Sequence, residues 1–244
     1  MRVTGAEANR HGLAQPARAY SSGMPDIRGV LFDFGNTLFA HASLAETIES
    51  ACADLGESRS TPWAEQLAAL VEASAHTTAE LQHQRDLDMD VWHARWHVLY
   101  SLADDEIPGL GAAIYEAMHD PLKWRPYARS VETLARIRSL GVAIAIVSNT
   151  GWDIRTVFVA HEMDHLVTEF VLSYEVGVVK PAPGIFHAAC GALNLSTEHC
   201  LMVGDDARAD SGAVAAGLRV LLVPALAVGR DNGVDAAARI VEGV

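Results

Sequence analysis

The sequence predicts an α/β protein, a doubly wound, Rossmann-like parallel sheet core carrying an inserted all-helical cap. Three observations lead there: five short apolar runs that each end in a turn or polar residue, helical stretches between the later runs, and about 85 residues without strand signal after the first run. Runs that are apolar throughout, rather than alternating, are buried on both faces, as in a parallel sheet covered by helices.

Residues 1–23 mix Arg, Ser, Gly, Ala and Pro with no hydrophobic period, and are read as a flexible tail too polar to offset the cost of ordering. They lack the apolar stretch of a secretory signal. Met24 stands just before the first apolar run, so translation is expected to begin there. That run, Val30 to Phe34, is ended by Gly35-Asn36 and reads as a buried strand entering a turn. Residues 41–121 follow as the helical cap, too long for a simple crossover. Leu67, Leu70 and Val71, and Trp92, Trp96 and Leu99, mark amphipathic helices within it. Residues 24–40 and 122–244 form the core.

Four further strands are expected at Val142–Val147, Phe170–Leu172, Leu201–Val203 and Val220–Val223. Tyr127–Leu140, Trp152–His161, Pro183–Leu193 and Ala207–Ala216 read as helices covering the sheet, with Gly141 and Gly217 as helix-terminating glycines. A doubly wound sheet binds its ligands beyond the carboxyl ends of the strands. Asp33, Ser148 and Asp205 all stand at such ends, and Lys180 lies in a loop nearby. A carboxylate nucleophile, a metal carboxylate, a hydroxyl and a cation around one point suit phosphoryl transfer, which works by positioning and charge neutralisation.

Composition narrows the partners. The chain of 244 residues is half hydrophobic and has a net charge of -13, from 31 acidic and 18 basic residues. Such a surface repels nucleic acid and anionic membranes, and no segment approaches the roughly 20 apolar residues of a membrane helix. Only two lysines occur, Lys123 and Lys180. Cys52, Cys190 and Cys200 fit no disulfide or thiolate-metal spacing and read as buried thiols of a cytoplasmic protein. His161-Glu162-Met163-Asp164-His165 matches the zinc-protease string, which requires one continuous helix. It falls where a helix ends, so a turn without zinc is expected. His93 and His97 share a helical face with no third ligand evident; Trp92, Trp96 and Tyr100 read chiefly as cap core, with the lining of the substrate pocket by one of them as the alternative.

Asp33-Phe34-Gly35-Asn36-Thr37-Leu38, Ser148-Asn149, Lys180-Pro181 and Val203-Gly204-Asp205-Asp206, in that order, resemble the four motifs of the haloacid dehalogenase-like hydrolase superfamily. The resemblance implies an enzyme in which Asp33 attacks phosphorus to give an aspartyl-phosphate. Mg²⁺ would be held by Asp33, the carbonyl of Gly35, Asp205 and Asp206. Thr37, Ser148 and Lys180 would orient phosphate and nucleophile, with Asn36, Asn149 and His41 toward the substrate. The expected partner is a small phosphorylated metabolite, and the chain a monomer or homodimer.

Two departures from the family pattern stand out. Phosphatases of the family place a second Asp two residues after the nucleophile as acid and base, and here that position is Gly35. His41 or Asp206 would replace it, or the leaving group needs no proton, as with acyl phosphates. The segment after the fourth motif is also one residue shorter than usual, which leaves Asp210 as at most an outer metal partner. Phosphonate-cleaving relatives need a cap lysine, which is missing here. Metal-free dehalogenation, in which halide leaves without a proton, is the alternative chemistry; a catalytically silent binding scaffold is the third reading.

Overall fold

A computed structural model describes residues 26–244, so the tail read at 1–23 and the start read at Met24 lie outside the described residues. Strand β1 (Gly29–Phe32) turns into a two-residue strand, β2 (Phe39–Ala40). An all-helical insertion follows, comprising α1 (Leu44–Asp54), α2 (Thr61–Ala75), α3 (Thr78–Leu81), α4 (Met89–Tyr100) and α5 (Leu110–His119). The chain returns through β3 (Arg125–Pro126), α6 (Ser130–Ser139), β4 (Ala143–Ser148), α7 (Arg155–Ala160), β5 (Glu169–Leu172) and α8 (Ser173–Val176). It ends with α9 (Pro183–Ala192), β6 (Cys200–Gly204), β7 (Arg219–Leu222) and α10 (Ala236–Glu242).

The main sheet has the order β5-β4-β1-β6-β7 and every pairing in it is parallel. Apolar side chains along β1 alternate between its faces. Val30 and Phe32 pack with Leu134 and Ile137 of α6, Phe158 of α7 and Ala237 of α10, while Leu31 packs with Ile185, Phe186 and Ala189 of α9. Both faces are therefore dry, which is why the runs show no alternation of apolar with polar residues. Phe32, Ile146 and Val203 are fully buried at matching register positions, and each such side chain contributes about 1.5–3 kcal/mol.

The insertion has its own core, built on Ile48, Val71, Tyr100, Leu110 and Ile114. Helix α1 starts at a capping box in which Ser43 and Glu46 satisfy each other's backbone N–H groups, and Asp88 caps α4. Buried Glu80 accepts from Arg95 Nε and Nη2 and lies 3.5 Å from Arg85 Nη1. The insertion presses closely on the sheet edge: Ser173 Oγ donates to the Asp86 carbonyl at 2.5 Å, and a side chain at Gly151 would overlap Trp92.

Two local features differ from the sequence-based expectation. The helix expected at Ala207–Ala216 is only a 3₁₀ segment, Asp210–Val214. Gly212 lies against the backbone of Pro181 and Asp210 is held from two sides, so the segment is tied to its neighbours before a regular helix can develop. Strands β2 and β3 form an antiparallel pair at the two junctions of the insertion, too short to leave a periodicity. The His161–His165 string is broken as expected, since α7 ends before His161 and Glu162 takes φ +54°. Gly141 (φ +75°) and Gly217 (φ +90°) adopt the left-handed conformation for which glycine is suited. Among the described residues, no helix is long and apolar enough to cross a membrane.

Candidate active site

Adjacent strands bring the chemistry together. Because β1 lies between β4 and β6, residues just past their carboxyl ends share one edge, and the Asp33 amide is fixed by donating to the Val203 carbonyl at 2.9 Å. Lys180 Nζ lies 2.7 Å from Asp33 Oδ1 and 2.7 Å from Asp210 Oδ1. Asp33, Asp205 and Asp210 each place a carboxylate oxygen within 4.8 Å of the others. One ammonium thus pairs with two of three clustered carboxylates.

This crowding shows in the titration of the site. Burial lifts the Asp33 carboxyl to about 6, with Lys180 opposing the rise and Asp210 adding to it. Burial also raises Asp205, against the hydrogen bond from Thr37 and with the help of Asp210. For Lys180, burial acts to lower the value, but Asp33 and Asp210 outweigh it and hold the ammonium above the usual lysine range. The hard oxygen donors, close spacing and excess negative charge are what a divalent cation such as Mg²⁺ requires.

Asp210 is the residue that sequence reasoning undervalued. It is fully buried, and its second oxygen accepts from the Asp206 amide at 3.0 Å. Gly204 makes room for it, since a side chain there would overlap the Asp210 carboxylate. The detectable signal was an Asp five residues beyond Asp205, in a segment too short for the usual helix. Asp206, expected as a metal ligand, is exposed; its Oδ1 accepts from the Arg208 and Ala209 amides and caps the turn. The carboxylate cluster is formed by Asp33, Asp205 and Asp210, while Asp206 lines the cleft beside it.

The other sequence-derived residues fall into two groups. Ser148 is buried and lines the cleft beside Asp33, Gly35 and Lys180. Thr37 is fully buried and donates to Asp205 Oδ1 at 3.0 Å, so it orients that carboxylate. Asn149 also lines the cleft, but its side chain accepts from the Lys180 amide at 2.7 Å and donates to the Lys180 carbonyl at 3.0 Å, clamping that loop from behind. Asn36 is exposed in a left-handed turn (φ +57°) and lines a separate recess. His41 lies in the same recess, its ring nitrogens against the carbonyls of Ala42 and Ala117. The pairing of Ala40 with Arg125 directs His41 toward α5 and away from the cleft holding Asp33.

The cleft has a volume of about 310 Å³, and its wall opposite the carboxylates is aromatic. Trp92, Trp96 and Tyr100, four residues apart on one face of α4, meet Trp124 and Trp152 from the core. Tyr100 belongs to the core of the insertion and Trp96 packs against it, as the sequence predicts, and all three residues of this face also line the cleft. His119 completes the wall. Trp92 Nε1 donates to its Nε2 at 2.9 Å while its Nδ1 faces the Tyr115 carbonyl at 2.8 Å, which defines a neutral ring protonated at Nδ1. Burial keeps this imidazole below the usual histidine range. At Gly35, the position of the missing acid, an added Cβ would lie 3.7 Å from the Trp124 ring.

Comparison with known proteins agrees with this architecture. Residues 27–217 match the model of the haloacid dehalogenase-like hydrolase family. The chain is 30% identical over 193 residues to a glyceraldehyde 3-phosphate phosphatase from Methanopyrus kandleri, covering 73% of this chain and 76% of that one. It is 24% identical over 211 residues to an (S)-2-haloacid dehalogenase from Pseudomonas fluorescens, covering 86% and 88% respectively. The crystal structure of a HAD phosphatase from Thermococcus onnurineus superposes with a TM-score of 0.61 at 19% identity, covering 89% of this chain and 99% of that one. The match over residues 27–217, together with Asp33 following a strand that lies between two others and pairing with a buried lysine, assigns the chain to the haloacid dehalogenase-like hydrolases.

Proposed function

We propose that this hydrolase is a Mg²⁺-dependent phosphatase acting on a small phosphorylated metabolite. The observation that carries this reading is the gathering of Asp33, Asp205 and Asp210 within 4.8 Å of one another, with a single ammonium paired to two of them. Displacement of halide by one carboxylate has no need of two more beside it, and their mutual repulsion is a cost unless a cation offsets it. The similarity to a phosphatase over most of the chain supports the same choice.

Asp33 and Asp205 would hold the ion, with Asp210 behind them, and the bound ion would neutralise charge on the phosphoryl oxygens. Asp33 would attack phosphorus through the oxygen not paired with Lys180, forming an aspartyl-phosphate that water then hydrolyses. Lys180 would offset the charge of the transferred group, Ser148 would donate to one of its oxygens, and Thr37 would keep Asp205 in place. Asn149 would fix the Lys180 loop. The insertion would exclude water from the cleft during transfer.

A phosphate-release assay over a panel of phosphoesters and acyl phosphates, with and without Mg²⁺, tests this. Release should require the metal, stop in EDTA and vanish in Asp33→Asn. A second reading, carbon–halogen hydrolysis, is favoured by Gly35, because halide leaves without a proton. Halide release from 2-haloacids that is indifferent to EDTA would establish it. Absence of turnover together with failure to trap beryllofluoride would point to a silent scaffold.

A further inference from the structure

Two independent features constrain the leaving group. The position where family phosphatases carry their acid is Gly35, and His119, the one imidazole lining the cleft, has both nitrogens engaged. The other carboxyl lining the cleft besides Asp33, Asp206, is engaged as an acceptor from the Arg208 and Ala209 amides. The wall facing Asp33 is also aromatic and lacks positive charge. Among the residues lining the cleft, Lys180 is the single cation, and it is already shared by Asp33 and Asp210. Arg85 and Arg95 both turn to Glu80, while Lys123 and Arg125 line a different recess. A second anionic group on the substrate would lose its hydration and gain no partner.

We propose that the substrate is an aryl phosphate: a phosphorylated phenol-type oxygen on an apolar ring with no second acidic group. This rests on the phosphatase reading. An Asp33 oxygen bonds to phosphorus as the P–O(aryl) bond breaks, and the electron pair leaves with the phenolate, whose ring spreads the charge. Water then attacks phosphorus; its proton passes to solvent, and Asp33 is regenerated with release of phosphate. Phenolate leaves without a proton far more readily than an alkoxide, so the absence of an acid at Gly35 costs little. The ring packs against Trp96 and Trp124, where aromatic pairs gain beyond their buried area.

The test is phosphate release in Mg²⁺ from phenyl phosphate, 4-carboxyphenyl phosphate, phosphocholine and acetyl phosphate. The phenyl ester should show a kcat/KM at least tenfold above its 4-carboxy analogue, although the analogue has the better leaving group. Trp96→Leu should lower kcat/KM on phenyl phosphate at least fivefold more than on acetyl phosphate, with Trp96→Phe restoring the first. The proposal is overturned if the carboxylated ring reacts as fast, if phosphocholine is the best substrate, or if Trp96→Leu depresses both substrates alike. Release from acetyl phosphate alone would leave the phosphatase reading standing and remove the aryl class. Silence from all four would remove both. The two ring esters on the unaltered protein decide the matter even if the Trp96 variants do not fold.

Discussion

Replacing Gly35 with Asp should convert a site suited to activated esters into one that also cleaves alkyl phosphates. Backbone strain does not oppose the change, because Gly35 is not among the residues with positive φ. Nor does a steric clash: the new Cβ would meet Trp124 Cζ3 at 3.7 Å and Cη2 at 3.8 Å, ordinary contact distances. The carboxyl group would enter a cleft already crowded by Asp33 and Asp205, both raised, so its own proton would be held more tightly, as a general acid requires. General acid–base help is worth roughly 10² to 10⁴-fold. Trp124 is fixed by its donation to the Met118 carbonyl at 3.1 Å and by packing on Phe34, which restricts the new side chain. We therefore expect the lower part of that range or less, about ten- to hundredfold on glycerol phosphate, or roughly 1.4–2.7 kcal/mol of barrier. Phenyl phosphate should gain at most about twofold, since its leaving group needs no proton. Steady-state phosphate release on both substrates reads the outcome. An unchanged or reduced rate on glycerol phosphate would refute the reasoning, since it would mean the site already contains an acid or cannot position one.

Other perturbations probe the framework. Glu80→Gln leaves Arg85 and Arg95 facing a neutral group in a buried position, and should cost about 3 kcal/mol in urea unfolding at pH 7. The Arg95 hydrogen bonds hold the Glu80 carboxyl below its usual range against burial, so this stability is present at neutral pH. It should fade as the pH falls through the lowered value, closing the gap between parent and variant; a gap independent of pH would count against the ion pairs as its source. Gly204→Ala displaces Asp210 and deprives Lys180 of one partner. It should reduce turnover at least 100-fold, and unimpaired activity would show that Asp210 is dispensable. In EDTA, Asp33→Asn should stabilise the chain at pH 7.5 by about 1 kcal/mol, because ionising Asp33 in the folded state is opposed up to about 6. The cost arises as pH rises from the ordinary carboxylate range through that value, so the gain should vanish near pH 4; a loss of stability at pH 7.5 would mean that the Lys180 pair outweighs desolvation.

Much of this protein was written locally. Continuous apolar runs identified the parallel sheet because strands covered on both faces have no polar side to display. The polar residues ending those runs marked the reactive edge, because a strand's last residue is where a buried backbone meets solvent. Asp33, Ser148, Lys180 and Asp205 were therefore legible from type and position. Asp210, the aromatic wall and the roles of Asn149 and His41 were decided by tertiary structure. Gly204 and Asp210 are separated along the chain yet share one volume, and Trp124 and Trp152 join α4 only when the insertion closes on the sheet. Helical spacing states that Trp92, Trp96 and Tyr100 lie on one face, but not whether that face meets a protein core or a cleft. That distinction belongs to packing between segments distant in sequence, which local periodicity does not encode.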